Sequence, residues 1–134
     1  MRPQPLIAVW DVEASSRWYQ RLLGCLGDHG GPEYERLLDG EGRLIMQLHH
    51  WEVEHHHEPI GNPEQVRGNG VLLWFEVDDF DAAVARSREL GAHVVMAPHR
   101  NPPEGPGGPK HREIWLRDPD GYIVVLASPD GEAA

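Results

Sequence analysis

The chain has 134 residues, 22 of them acidic and 12 basic, for a formal charge of −10 with histidine neutral. That balance, with no local cluster of Lys and Arg, repels phosphate backbones and anionic headgroups, so nucleic acid and membrane surfaces are excluded as expected partners. Fifteen glycines and 12 prolines, about a fifth of the chain, call for many turns and short elements and disfavour a helical bundle or coiled coil.

The length fits a single domain, 1–134. Cys25 is the only cysteine, which rules out an internal disulfide. No cationic stretch followed by an apolar run opens the chain, and its apolar stretches fall far short of the roughly 20 residues that cross a bilayer. A cytoplasmic protein is expected.

In chain order, the apolar run 6–9 predicts a strand. Asp11 then offers an N-cap, Glu13 a first-turn acid and Gly24 a C-cap, predicting a helix whose inner face holds Ser15, Trp18, Tyr19, Leu22 and Leu23. Trp18 and Tyr19 are read as core. Residues 38–42 predict a hairpin and 43–50 its closing strand. Residues 51–69 are expected to be a loop. A second apolar run, 71–75, predicts a strand. Asp79, Asp81 and Gly91 then bracket a helix with Phe80, Ala83, Val84, Ser87 and Leu90 inward. The Pro/Gly-rich stretch 98–109 is expected to be a second loop, of a length that usually marks function. Residues 117–121 predict a hairpin, and 122–127 a strand so apolar that both its faces should be covered.

These elements repeat at an offset of roughly 67 residues, half the chain, so each half reads as strand, helix and three further strands. The halves are module 1, about 5–50, and module 2, about 70–128.

Three fragments in order carry a resemblance: Val9-Trp10-Asp11-Val12-Glu13-Ala14-Ser15 leading to Trp18-Tyr19 and Leu23-Gly24, Phe75-Glu76-Val77-Asp78-Asp79 leading to Leu90-Gly91-Ala92, and Leu116-Arg117-Asp118-Pro119-Asp120-Gly121-Tyr122. Together they resemble the vicinal oxygen chelate superfamily of glyoxalases, bleomycin-resistance proteins and dioxygenases. The resemblance implies an α+β fold of two βαβββ modules forming a cup-shaped mixed sheet, commonly completed as a homodimer. It also implies four metal-ligand places, which fall near Gln4, on Met46 or Gln47, on Leu72 and on Val125. Two of these are aliphatic, and a divalent ion needs oxygen, nitrogen or thiolate donors. A register slip of one would substitute Val71, Leu73, Val124 or Leu126, which supply none either. Asn69 is the nearest polar substitute. The metal site of the resemblance is therefore expected to be lost, with no cofactor in its place.

Period-two alternation from those places puts Leu6, Ala8 and Trp10 on the concave face, with Ile45, Gln47 and His49. It adds Leu72, Trp74 and Glu76, then His111, Glu113 and Trp115, then Ile123, Val125 and Ala127. Aromatic walls with two carboxylates suit a small planar or cationic organic ligand bound by Trp10, Gln47, His49, Leu72, Trp74, Glu76, Glu113, Trp115 and Val125. The tryptophans have a plainer use in packing a subunit interface, and Glu113 a plainer partner in Arg112 or Arg117 at the surface.

Nine histidines are present, five of them within 49–57. An alternative metal site would draw on His49, His55, His57 and His111, with Glu54 and Glu58, for zinc, nickel or iron, although consecutive histidines cannot all point at one ion. Catalytic residues are not legible: Ser15 and Ser16 lack a base, and Cys25 follows a helix end as a structural thiol would.

The first expectation is thus a metal-independent small-molecule-binding protein, similar to the bleomycin-resistance branch that sequesters a cationic drug. The second is a lyase, isomerase or dioxygenase using the histidine site, or a metal-free enzyme using Glu113 or His49 for proton transfer. The third is an interaction module with a filled cup.

Overall fold

In a computed structural model the described residues are 1–52, 60–102 and 110–131. They divide into two units, Met1–Val66 and Arg67–Ala134.

The N-terminal unit runs β1 (Leu6–Val9), α1 (Val12–Leu23), β2 (Leu26–Gly27), β3 (Tyr34–Leu38) and β4 (Leu44–His50). Its sheet has the order β1-β4-β3-β2, with β1 and β4 parallel and the other pairs antiparallel. The C-terminal unit repeats the plan with β5 (Leu73–Glu76), α2 (Phe80–Leu90), β6 (His93–Asn101), β7 (His111–Arg117) and β8 (Ile123–Ala127), in the order β5-β8-β7-β6. Strand β5 begins one residue after Leu72, so that residue lies just ahead of the sheet.

Local chemistry explains why the halves match. Asp11 Oδ1 accepts from the Ala14 amide and Asp79 Oδ1 from the Ala82 amide, each at 3.0 Å, satisfying a first-turn donor. Gly24 and Gly91 end the helices at φ 66° and 69°, a left-handed geometry that suits glycine. The β3–β4 and β7–β8 turns are also alike. Asp39 accepts from the amides of Glu41 and Arg43, and Asp118 from those of Asp120, Gly121 and Tyr122, all at 2.8 to 2.9 Å.

Each helix covers one face of its own sheet. Val12, Ser15, Ser16, Tyr19 and Leu22 are the buried side of α1, which packs on β2, β3 and β4. Trp18 is half-buried with its ring edge-on to Tyr19, and so is less central than its spacing predicts. Phe80, Ala83, Val84 and Ser87 are the buried side of α2, which packs on β7 and β8. The rows beneath, Met46 and Leu48 in one sheet and Ile114, Leu116, Val124 and Leu126 in the other, are almost wholly buried. Such burial is worth about 1.5 to 3 kcal/mol for each large aliphatic side chain.

The expected loop over 98–109 needs correction at its start, because β6 continues through Pro98, His99, Arg100 and Asn101. Proline lacks an amide to donate, but β6 is an edge strand, where a missing donor costs little. Residues 103–109 lie outside the described part, as do 53–59 of the expected loop 51–69. No helix among the described residues is long and apolar enough to cross a membrane.

Candidate functional site

Strand register decides which predicted residues share a face, since partners on adjacent strands point to the same side. In the C-terminal unit Trp74 pairs with Val125 and Glu76 with Ala127, while Trp115 pairs with Val125 and Glu113 with Ala127. These residues and His111 therefore lie on the face turned away from α2. That assignment is fixed independently by Arg112, on the other side of β7, whose guanidinium carbon sits 4.7 Å from the ring centroid of Phe80 in α2.

The centre of this face is Glu113. It is buried, not paired with Arg112 or Arg117 at the surface as its neighbours in the sequence suggested. One oxygen meets Nε2 of His111 at 2.6 Å. The other meets Nε2 of His99 at 3.0 Å and accepts from Nε1 of Trp115 at 3.0 Å. Burial alone would raise its carboxyl, but hydrogen bonds from His111, Trp115, His99 and Asn101 outweigh it and hold the group below the ordinary range. The second nitrogen of His111 faces Asp130 Oδ1 at 3.3 Å, and that of His99 faces the Ala97 carbonyl at 2.8 Å. A ring carrying both N–H groups donates at both contacts.

Trp74 stands at the edge of this polar group, its ring perpendicular to that of His111 with centroids 5.5 Å apart. It is 46% exposed, an unusual position for so large an apolar surface unless something else covers it. Val125 lies between Trp74 and Trp115 and is fully buried, whereas Glu76 is exposed at the end of β5.

His99 and Asn101 are missing from the predicted site because they fell in the expected loop. Once β6 extends to Asn101, His99 pairs with Glu113 and Asn101 with His111. Their own period-two spacing is the signal that would have found them.

Of the other predicted residues, Leu72 is exposed just ahead of β5, and Trp10, Gln47 and His49 lie in the N-terminal unit. Gln47 and His49 share the face away from α1, where Gln47 pairs with Leu6 and His49 with Ala8. Tyr34 joins them, its hydroxyl donating to Gln47 Oε1 at 2.5 Å, while Gln47 Nε2 donates to the Gln4 carbonyl at 3.0 Å. Trp10 follows β1, 44% exposed, near the rings of His50 and Trp51.

The donor chemistry at the expected metal places does not fit a divalent ion. Val125 is buried hydrocarbon, Leu72 is aliphatic, Met46 is buried in the row beneath α1, and both ends of the Gln47 amide are already hydrogen-bonded. Among the described residues no group of three or more His, Cys, Asp or Glu side chains is arranged to hold a metal ion. Of the alternative set, His55 and His57 lie outside the described residues, and both nitrogens of His111 face carboxylates.

Cys25 is buried with its Sγ 3.6 Å from the Tyr19 carbonyl; burial, helped by the charge of Glu35, pushes the thiol up to about 11. It has the environment of a structural thiol.

Comparison with known proteins agrees with this architecture. No curated protein matches the chain. Among solved structures, TioX from Micromonospora sp. ML1 superposes with a TM-score of 0.71 at 17% identity, covering 96% of this chain and 98% of that one. Lactoylglutathione lyase from Agrobacterium tumefaciens gives 0.67 at 16% identity, covering 96% and 92%. A glyoxalase/bleomycin resistance protein/dioxygenase family enzyme from Burkholderia phytofirmans PsJN gives 0.65 at 19%, covering 94% and 96%. At such identities the likeness carries the fold alone. The family model described as Glyoxalase/Bleomycin resistance protein/Dioxygenase superfamily matches residues 3–126, and with nearly the whole chain covered, the protein belongs to that superfamily.

Proposed function

We propose that the protein binds a small aromatic, cationic organic molecule without a metal, on the face of the C-terminal sheet that carries Trp74. The observation that carries this reading is the half-exposed Trp74 ring, braced perpendicular to His111 beside a Trp115 whose indole is held by Glu113. A platform built this way is rigid before the ligand arrives, so little side-chain entropy is lost on stacking. Aromatic faces attract cations, and the exposed Glu76 and the net charge of −10 add to that preference. Glu113 itself is committed to internal donors, so the role in cation selection expected of both carboxylates falls to Glu76. Hydrocarbon at Leu72 and Val125 supports metal independence. We read the working form as a homodimer.

The test is a titration of intrinsic tryptophan fluorescence with proflavine and with an uncharged tricyclic of the same shape. Saturable quenching is expected for both, tighter for the cation, with Trp74→Ala weakening binding about tenfold or more and Glu76→Gln reducing the preference for charge. Absence of quenching at millimolar proflavine would sink the reading.

A second reading, favoured by one observation, is metal-free proton transfer. His99 is the partly exposed partner of buried Glu113, with side-chain exposures of 30% and 3%, and its Nδ1 must leave the Ala97 carbonyl, 2.8 Å away, before it can exchange a proton with a ligand. Mass spectrometry separates the two. A binder returns its ligand unchanged, whereas an enzyme transforms it and loses turnover, but not binding, in His99→Ala.

A further inference from the structure

The chain has three asparagines, Asn62, Asn69 and Asn101. Pro63 and Pro102 follow the outer two and carry no amide N–H, whereas Gly70 follows Asn69. Asparagine before glycine is open to an internal reaction in which the next backbone nitrogen attacks the side-chain carboxamide. Glycine has no Cβ to shield that nitrogen, and the two reacting groups are already held close by the chain.

The fold presents this pair at the tip of a tight turn. The Val71 amide donates to the Gly68 carbonyl at 2.8 Å, so Asn69 and Gly70 are the two central residues, and Gly70 takes φ 82°. Both are exposed, and a Cβ placed on Gly70 would meet nothing within 4 Å. Among the described residues neither the Asn69 carboxamide nor the Gly70 amide has a hydrogen-bond partner. The Asp-Gly steps of the chain differ in this respect. Asp39 accepts from two amides and from Arg43, Asp120 faces Arg67 at 3.8 Å, and Asp130 faces His111 at 3.3 Å.

The turn is anchored on both sides. Upstream, the Arg67 side chain is buried beside Asp120, and a Cβ on Gly68 would lie 3.2 Å from Cδ1 of Tyr122, so both residues rest on the β7–β8 connection. Downstream, β5 begins at Leu73 and pairs with β8. An extra backbone atom between these anchors must distort the turn or move the start of the strand.

We infer that Asn69 is a site of spontaneous deamidation in the folded protein, and that its isoaspartyl product displaces the start of β5. The Gly70 nitrogen bonds to Cγ of Asn69, the carboxamide C–N bond breaks, and the departing NH2 leaves as ammonia with the proton that the Gly70 amide loses. Water then opens the succinimide at either carbonyl, giving aspartate or isoaspartate. Isoaspartate carries the chain through Cβ, which lengthens the backbone by one atom, and either product adds a negative charge. The inference is independent of the ligand proposed for the Trp74 face.

The test holds the full chain in mildly alkaline buffer, folded and in urea. It is followed by intact mass, by peptide mapping and by labelling with an isoaspartate methyltransferase. The folded protein is expected to gain one mass unit at Asn69, at a rate within about tenfold of that in urea, because an exposed turn opens at little free-energy cost. Both products should form, Asn62 and Asn101 should stay intact over the same period, and Asn69→Gln should lose the mass gain. In amide spectra of the isoaspartyl form, separated by ion exchange, the resonances from Val71 to Trp74 are expected to shift. Asn69 intact in the folded protein after the chain in urea has converted, a mass gain mapped elsewhere, or aspartate without isoaspartate would overturn the modification. Unmoved resonances of Leu73 and Trp74 would overturn its effect on β5.

Discussion

Nε2 of His111 lies 2.6 Å from Oε2 of Glu113, two residues further along the same strand. Alternation along β7 puts both side chains on one face, and the β6 register brings His99 to the same carboxylate from the neighbouring strand. Glu113 thus joins β6 to β7 through side chains as well as through the backbone ladder. Its hydrogen bonds with His111 and Trp115 orient both rings, and the His111 ring braces the exposed Trp74.

Replacing the carboxylate while keeping its shape tests that role. Glu113→Gln retains one carbonyl acceptor and introduces an NH2 that faces N–H donors, leaving buried groups without partners. A loss of about 2 to 4 kcal/mol is expected in urea unfolding, together with a changed near-UV signal from Trp115. A variant of wild-type stability and unchanged aromatic spectrum would show that the carboxylate does not organise this face.

Acid should weaken both units. Burial raises Glu35, but the amides of His29, Gly30 and Arg36 and the hydroxyl of Ser16 outweigh it, so this carboxyl, like Glu113, sits below its ordinary value when folded. The unfolded chain then binds protons more readily than the folded one below the usual carboxyl range, near ~4.3. The stabilisation is complete above that value and is lost as pH falls through the lower, folded value. Unfolding midpoints measured from pH 7 to pH 3 should decline at the acid end. Glu35→Gln, already destabilised at neutral pH, should show a shallower decline; an equally steep one would remove Glu35 from this account.

Much of this arrangement follows from short-range rules and so was legible in the sequence. The capping aspartates Asp11 and Asp79, the turn aspartates Asp39 and Asp118 and the glycines after each helix act on neighbours within a few residues. Alternation likewise placed Trp74, Glu76, Glu113, Trp115 and Val125 on one face. What stayed hidden depends on contacts between distant residues. Pro98 disguised the end of β6 because an edge strand tolerates a proline that a central one would not. With that strand cut short, His99 and Asn101 were missed, and Glu113 was expected either as a ligand-facing carboxylate or as a surface one beside an arginine, not as the buried partner of two histidines and an indole. Glu35 gave no local sign of burial, since apart from the neighbouring Arg36 amide its donors come from the 29–30 segment and from α1.

The thiol of Cys25 should be slow. With burial pushing it to about 11, little thiolate is present at pH 8, and the sulfur is enclosed besides. Its reaction with a disulfide reagent should run at least about a hundredfold slower in the folded protein than in urea. Complete modification of the native protein within seconds would place the thiol in an open, activated setting instead.

A pair of glycine substitutions separates steric demand from conformational freedom. A Cβ on Gly27 would lie 2.6 Å from Glu35 Oε2, 2.9 Å from its Cδ and 3.0 Å from Gln20 Nε2, so an added methyl must push the Glu35 carboxylate off its donors. A Cβ on Gly40 would meet nothing within 4 Å. Neither glycine has a positive φ, so both substitutions reduce the freedom of the unfolded chain and neither requires a strained backbone. Gly40→Ala should therefore leave stability unchanged or raise it by up to about 1 kcal/mol. Gly27→Ala should lower it by about 1 to 3 kcal/mol, because overpacking and the displaced carboxylate outweigh the entropic gain. Urea midpoints for the two variants check this directly, and the Gly27 variant carries the sharper consequence. If its loss comes from displacing Glu35, Gly27→Ala in a Glu35→Gln background should cost less than it does alone; equal costs in both backgrounds would mean that the methyl clashes with something other than the carboxylate.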